Sequence, residues 1–140
     1  MQYKQINKKV IVRIDKGEEI VQTLKQICTK LHIKAGTITG IGATDRAVVG
    51  LLDTKTKKYQ SIELVGDHEI VPIIGNISTM NSEVYLHLHA NLCNAKHQSF
   101  GGHLTSAVVS VTFEGVIDIF DGAVDRVFDE HSGINLLSLE

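Results

Sequence analysis

His87 and His89, separated by one residue, and His103, which follows a Gly-Gly step, form the grouping in this sequence best suited to holding a metal ion. In Val84-Tyr-Leu-His-Leu-His-Ala-Asn-Leu92, strand geometry points Val84, Leu86, Leu88, Ala90 and Leu92 one way and Tyr85, His87, His89 and Asn91 the other. Side chains two apart on a strand start about 6.5–7 Å from each other, so two imidazoles leaning together reach one ion at about 2.0–2.1 Å. A His-x-His pair alone fits the wet side of a half-buried strand better than it fits a metal site. The third histidine tips the balance, because in Phe100-Gly-Gly-His-Leu104 the two glycines permit an abrupt backbone course that brings His103 against a neighbouring strand.

Three neutral nitrogen ligands leave a fourth tetrahedral position for solvent, a small molecule or a donor from another subunit. Such an open site suits zinc first, or another divalent transition metal. Cys93, which keeps the strand parity of His87 and His89, and His97 are candidates for the fourth position. Glu83, Glu114 and Asp118 are the acids near the histidine segments, available to orient an imidazole or move a proton. His32 and His131 have no partner at metal spacing and read as surface or cap residues, while His68 stays open. No glycine-rich phosphate loop and no serine or cysteine nucleophile motif is present, which counts against nucleotide hydrolysis and acyl transfer.

The elements that must position these histidines are mostly strands. Val10–Ile14 is β-branched, and Asp15-Lys-Gly-Glu18 offers a carboxylate cap with a glutamate three residues on, predicting a helix over about 18–31. Ile20, Val21, Leu24, Ile27, Cys28 and Leu31 recur at helical spacing and give that helix one apolar face. Strand character then returns over 34–42, 46–52, 59–65, 69–77, 84–92 and 107–120, punctuated by glycines that suggest turns, bulges or close backbone approach. Pro72 belongs at an edge or a bulge. The stretch 124–139 is amphiphilic and fits either regular structure. One helix among many strands, without regular alternation, predicts an α+β fold around a largely antiparallel or mixed sheet.

A length of 140 residues, 43% hydrophobic and 21% charged, predicts a single domain over 1–140, and burial of roughly two thirds of its surface dispenses with staples. A metal here is therefore expected to be functional or interfacial. The start of the chain does not read as an export signal and no apolar run approaches a membrane span, so a cytoplasmic location without membrane contact is expected. Cys28 and Cys93 are expected to be reduced thiols. The formal charge of −2 gives no general attraction to a phosphate backbone, and Lys55, Lys57 and Lys58 read as a solvated hairpin tip.

The order of features, Arg13 before a capped helix, Gly40-Ile-Gly42, Gly75-Asn-Ile-Ser78, Leu86-His-Leu-His-Ala90 and Gly101-Gly-His-Leu104, resembles the PPC domain shared by plants and prokaryotes. The likeness spans nearly the whole chain and points to a stand-alone prokaryotic member. It implies a compact α+β homotrimer with zinc on His87, His89 and His103, and a DNA-associated or regulatory role. Plant members add AT-hooks with an Arg-Gly-Arg-Pro core. Here Arg13, Arg46 and Arg126 are not followed by glycine, so DNA or a DNA-associated protein would be reached without that module. Gly66-Asp-His-Glu-Ile-Val71 resembles the plant partner-binding segment in its Gly, Glu and Ile but not in its Arg-Phe pair. The fold is also similar to that of zinc-dependent acetolactate decarboxylase. That likeness implies an alternative, a lyase-like zinc enzyme binding a small oxo or hydroxy acid at the metal, with Glu114 as the first choice of proton-handling group.

Overall fold

A computed structural model describes residues 1–139. In chain order its elements are β1 (Gln2–Ile6), β2 (Lys9–Asp15), α1 (Ile20–Lys30), β3 (Gly36–Leu52), β4 (Tyr59–Met80), β5 (Glu83–Asn94), β6 (Ser99–Ile119), β7 (Asp125–Asp129) and β8 (Ile134–Ser138). The strands form one sheet in the order β1-β2-β6-β3-β4-β7-β8, with β5 pairing both β4 and β6. The pairings are antiparallel apart from one parallel bridge, Thr79 to Asp125, so the sheet is mixed as expected. The balance lies further toward β than the expected α+β fold suggests.

Because β5 pairs with β4 on one side and with the start of β6 on the other, β3, β4, β5 and β6 close a circuit of hydrogen-bonded strands. Later in β6, residues 112–118 pair instead with β2. The helix packs on β5 and β6, and its buried face is Ile20, Thr23, Leu24, Ile27 and Cys28. Opposite it the alternating strands supply Val10, Val12, Ile14, Leu88, Leu92, Leu104, Phe113 and Ile117, all buried in one cluster. Each such side chain removed from water contributes roughly 1.5–3 kcal/mol before the entropy of ordering is charged against it. Burial of Leu88, Ala90 and Leu92 sets which face of β5 looks inward. Strand alternation then puts His87 and His89 on the other.

The helix starts later than the capping signal at Asp15 suggested. β2 runs through Asp15, Gly17 turns the chain with φ 86°, and Glu18 accepts a hydrogen bond from the Asp15 N–H across that turn. Glu19 is the N-cap, accepting from the N–H groups of Val21 and Gln22 and also from that of Ala107. One carboxylate thus satisfies the helix start and ties it to β6, a tertiary partner that outweighs the local signal.

From Gly36 onward the runs 34–42 and 46–52 are one strand, as are 59–65 and 69–77, since bulges bend them without ending the ladder. One bulge leaves Val71 and Pro72 outside the pairing between Ile70 and Ile73, the setting expected for that proline. The ambiguous tail forms the β7–β8 hairpin. Lys57 is not simply solvated at the β3–β4 tip, because its ammonium donates to the carbonyls of His131 and Ser132 and joins the two hairpin ends.

Candidate metal centre

His87 and His89 stand on β5 and His103 on β6, where His103 is the register partner of His89 on one side and of Gly50 of β3 on the other. This three-strand junction explains the Gly-Gly step. A Cβ at Gly102 would lie 2.6 Å from the Gly50 carbonyl oxygen, and one at Gly101 would lie 2.7 Å from that of Ala90. The glycines therefore serve close packing on both flanks of β6 rather than an abrupt turn, and the strand continues through them. Gly75 does the same for β5, since a side chain there would collide with the His87 carbonyl oxygen.

The ring centroids of His87 and His89 are 5.1 Å apart, those of His87 and His103 5.3 Å, and those of His89 and His103 5.6 Å. One nitrogen from each ring lies within 4.8 Å of the others, and among the described residues no other His, Cys, Asp or Glu grouping of three is this tight. The Nε2 atoms of His87 and His89 are 3.2 Å apart. Two nitrogens bound tetrahedrally at 2.0–2.1 Å would be separated by about 3.3–3.4 Å. The donor set, all imidazole, is that of a borderline transition metal such as zinc.

His87 and His103 are half-buried and His89 is exposed. Burial lowers the His87 pKa from its ordinary value, with the positive charge of Arg126 and then the other two imidazoles acting in the same direction. Burial, then the charge on His89, lowers that of His103. Both effects favour the neutral ring that a metal requires.

A cavity of about 460 Å³ opens beside the three histidines, walled by Leu51, Leu52, Tyr59, Tyr85 and Ile134. The Tyr59 ring meets His103 edge-on at 6.0 Å. Arg126, on β7, also lines this cavity and is the residue that sequence reasoning missed. The residue is only 7% exposed. Nε donates to Ser78 Oγ at 2.8 Å, one terminal nitrogen to the Asn135 carbonyl at 2.7 Å, and the other to Asn76 Oδ1 at 2.8 Å, while the guanidinium lies over the Tyr85 ring. That last nitrogen is also 3.4 Å from His87 Nδ1. Asn76 and Ser78 are the register partners of His87 and Tyr85, so the polar positions of Gly75-Asn-Ile-Ser78 were the available signal. They marked a polar face without naming an arginine fifty residues away.

The other candidates lie elsewhere. Cys93 and His97 border a different cavity, together with His68, and neither joins the histidine trio. Glu114 is exposed, opposite Arg13 on one side and Ile41 on the other, eleven residues along β6 from His103. At about 3.3 Å per residue that is far beyond the reach of a side chain. It lines no part of the cavity, so the structure does not support it as the proton-handling group. Glu83 approaches Lys25 at 3.7 Å and Asp118 pairs with Lys9 at 2.5 Å. His32 follows the helix with its N–H on the Thr29 carbonyl, and His68 is buried with Nδ1 2.6 Å from the Gly66 carbonyl.

No curated protein matches the chain. Solved structures do. A candidate DNA-binding protein from Bacteroides thetaiotaomicron is 34% identical, with a TM-score of 0.96 over 98% of this chain and 96% of that one. A metal-containing protein from Archaeoglobus fulgidus is 31% identical, with a TM-score of 0.86 over 97% of each chain. A plant- and prokaryote-conserved protein from Pyrococcus horikoshii is 27% identical, with a TM-score of 0.85 over 99% of this chain and 96% of that one. More distantly, acetolactate decarboxylase from Bacillus subtilis shares the fold at 15% identity and a TM-score of 0.50, over 79% of this chain and 52% of that one. The sequence profile of the Plants and Prokaryotes Conserved (PCC) domain matches residues 1–121. With the order of strands and that match in agreement, the chain belongs to the Plants and Prokaryotes Conserved domain family.

Proposed function

We propose that this protein binds one divalent transition metal ion per chain, zinc first, through His87, His89 and His103. The observation that carries the reading is the convergence of three imidazole nitrogens within 4.8 Å, two of them at nearly the separation that tetrahedral ligation needs. The metal-containing relative from Archaeoglobus fulgidus supports it. Elemental analysis of the purified protein against His103→Ala tests it. About one equivalent per chain is expected in the first and a small fraction in the second, and equal metal content would sink the site.

The proposal extends to a homotrimer with a DNA-associated or regulatory role. Residues 59–65 of β4 pair with β3 alone, leaving an open edge where Tyr59, Ile62 and Val65 are exposed, and β8 ends the sheet beside exposed Ile134, Leu136 and Leu137. Such edges are covered in stable proteins, and self-association is one way to do it. Sedimentation equilibrium is expected to return three times the chain mass. The name of the Bacteroides thetaiotaomicron relative supports an association with DNA. A formal charge of −2 favours reaching it through protein contacts, with direct binding weak and salt-sensitive.

The cavity beside the histidines favours a second reading, a zinc-dependent lyase-like enzyme acting on a small oxo or hydroxy acid. The shared fold with acetolactate decarboxylase is an analogy for that chemistry. Turnover of such acids by the zinc-loaded protein, lost in His103→Ala, is the result this reading requires.

A further inference from the structure

Among the described residues, Arg126 is a buried cation without a counter-ion. Its hydrogen-bond partners are a serine hydroxyl, an asparagine carboxamide, a backbone carbonyl and, at 3.4 Å, a His87 ring nitrogen, and among the described residues no carboxylate lies within 4.0 Å of it. Taking a guanidinium out of water costs several kcal/mol when no opposite charge repays it. The side chain is nevertheless held in place by hydrogen bonds from two other elements, β4 and β8, and stacked on Tyr85 of β5. Such fixing suits recognition, since a guanidinium already fixed in place loses less freedom when it binds an anion.

The rest of the cavity lacks the same thing. Among the described residues its lining holds three histidines, two tyrosines, Asn135, glycines and aliphatic groups, and no acid. A divalent ion on three neutral imidazoles would add two positive charges beside Arg126, in a half-enclosed space whose walls supply no negative charge. The 3.4 Å approach of the guanidinium to His87 Nδ1 sharpens the point. Arginine only donates, so there Nδ1 must accept, whereas ligation through Nε2 requires the proton on Nδ1. A loaded site therefore withdraws that acceptor from Arg126.

We propose that the cavity takes a small organic carboxylate, whose carboxyl group is received by Arg126 and whose neighbouring oxygen faces the three histidines, with the apolar remainder against Leu52 and Ile134. The inference rests on the metal-site reading for its second contact and on the guanidinium alone for its first. With Nε–H and one N–H of each terminal nitrogen committed to Ser78, Asn135 and Asn76, the remaining N–H on each terminal nitrogen is left for the two oxygens of a carboxylate, a charge-assisted pairing that a neutral amide does not match. Arg126, Ile134 and Asn135 all lie beyond residue 121, where the match to the family profile ends. The β7–β8 hairpin thus brings the anion-recognising wall to a histidine set carried by the matched region.

The test uses full-length protein loaded with cobalt(II), whose visible spectrum reports the ligand field, titrated with glycolate, with its neutral analogue glycolamide and with inorganic phosphate. Glycolate is expected to bind at least roughly tenfold more tightly than glycolamide and more tightly than phosphate. Arg126→Gln should retain cobalt and lose the preference for glycolate over glycolamide. If folded, cobalt-loaded Arg126→Gln still discriminates as the wild type does, Arg126 is a structural tie and the inference is wrong. Phosphate binding as tight as glycolate overturns the carboxylate assignment. Should Arg126→Gln fail to fold, Arg126→Lys keeps the charge without the fork, and an undiminished preference there overturns fork recognition. The metal-free protein separates the two readings. A glycolate-induced shift of the Arg126 Nε–H resonance without cobalt uptake upholds the anion site and sinks the metal, whereas neither shift nor uptake sinks both.

Discussion

His89 and His103 face each other as register partners across the β5–β6 ladder, their rings 5.6 Å apart and nearly perpendicular. Their meeting is a consequence of register. A slip of one residue in either strand would turn one imidazole to the opposite face of the sheet and dissolve the site.

The register depends on how closely β6 passes β3. Gly102→Val puts side-chain atoms where the Gly50 carbonyl oxygen lies 2.6 Å from the Cβ position, so a destabilisation of about 1–3 kcal/mol is expected. Metal uptake should fall with it. Urea unfolding and elemental analysis on the same preparation check both, and full metal content in a stable Gly102→Val protein would remove close approach as the positioning device.

A ligand that binds the folded chain alone stabilises it by about 2.7 kcal/mol when present at one hundred times its Kd. Zinc should therefore raise the melting temperature of the wild type, by an amount that grows with free zinc. His87→Ala, His89→Ala and His103→Ala should each abolish most of that response. A zinc-induced shift that survives all three substitutions places the metal elsewhere.

Acid should release the metal and weaken the metal-free fold in the same pH range. His87 and His103 have folded-state pKa values below the ordinary 6.5, so the unfolded chain takes up protons first as the pH falls. Their contribution is complete above the unfolded value and is lost on going down from about 6.5 through the lowered folded values. In the presence of a chelator, melting temperature against pH should fall more steeply below 6.5 for wild type than for the His87→Gln, His103→Gln double variant. Parallel curves would show that neither ring is held neutral by the fold.

Glu114 offers a contrast. It is exposed on β6 and distant from the histidines, so Glu114→Gln should leave metal content unchanged and stability within about 0.5 kcal/mol of wild type. Loss of metal in this variant, measured beside His103→Ala, would mean that the acid reaches the site in the assembled protein.

Direct DNA binding should be weak and steeply salt-dependent, in keeping with 14 basic against 16 acidic residues. Fluorescence anisotropy with a duplex at rising salt is the measurement. A nanomolar complex surviving roughly 200 mM salt contradicts the charge argument.

Much of the site was legible because strand alternation is a local property. The two-residue spacing of His87 and His89 against Leu88, Ala90 and Leu92 stated which side chains shared a face before any fold was known, and burial of the leucines bears that out. Gly101-Gly102 flagged an unusual backbone requirement, although its cause, a carbonyl on each flank, depends on the preceding strand at Ala90 and on a strand distant in sequence at Gly50. Glu114 was misplaced because eleven residues of strand, bulges included, carry it from His103 to the part of β6 that pairs with β2. The capping signal at Asp15 lost to Glu19 because Ala107 supplied a partner visible only in three dimensions.

By itself, the sequence determined the β-rich composition, the one amphipathic helix and the facing of the paired histidines, all consequences of side-chain periodicity within a few residues. Only the tertiary structure decided that Arg126 belongs with them. The 124–139 tail has no period strong enough to declare itself, and the guanidinium reaches His87 through hydrogen bonds to Asn76 and Ser78, about fifty residues earlier. A contact between residues that far apart is set by which strand the hairpin joins, and that choice rests on the packing of the whole sheet.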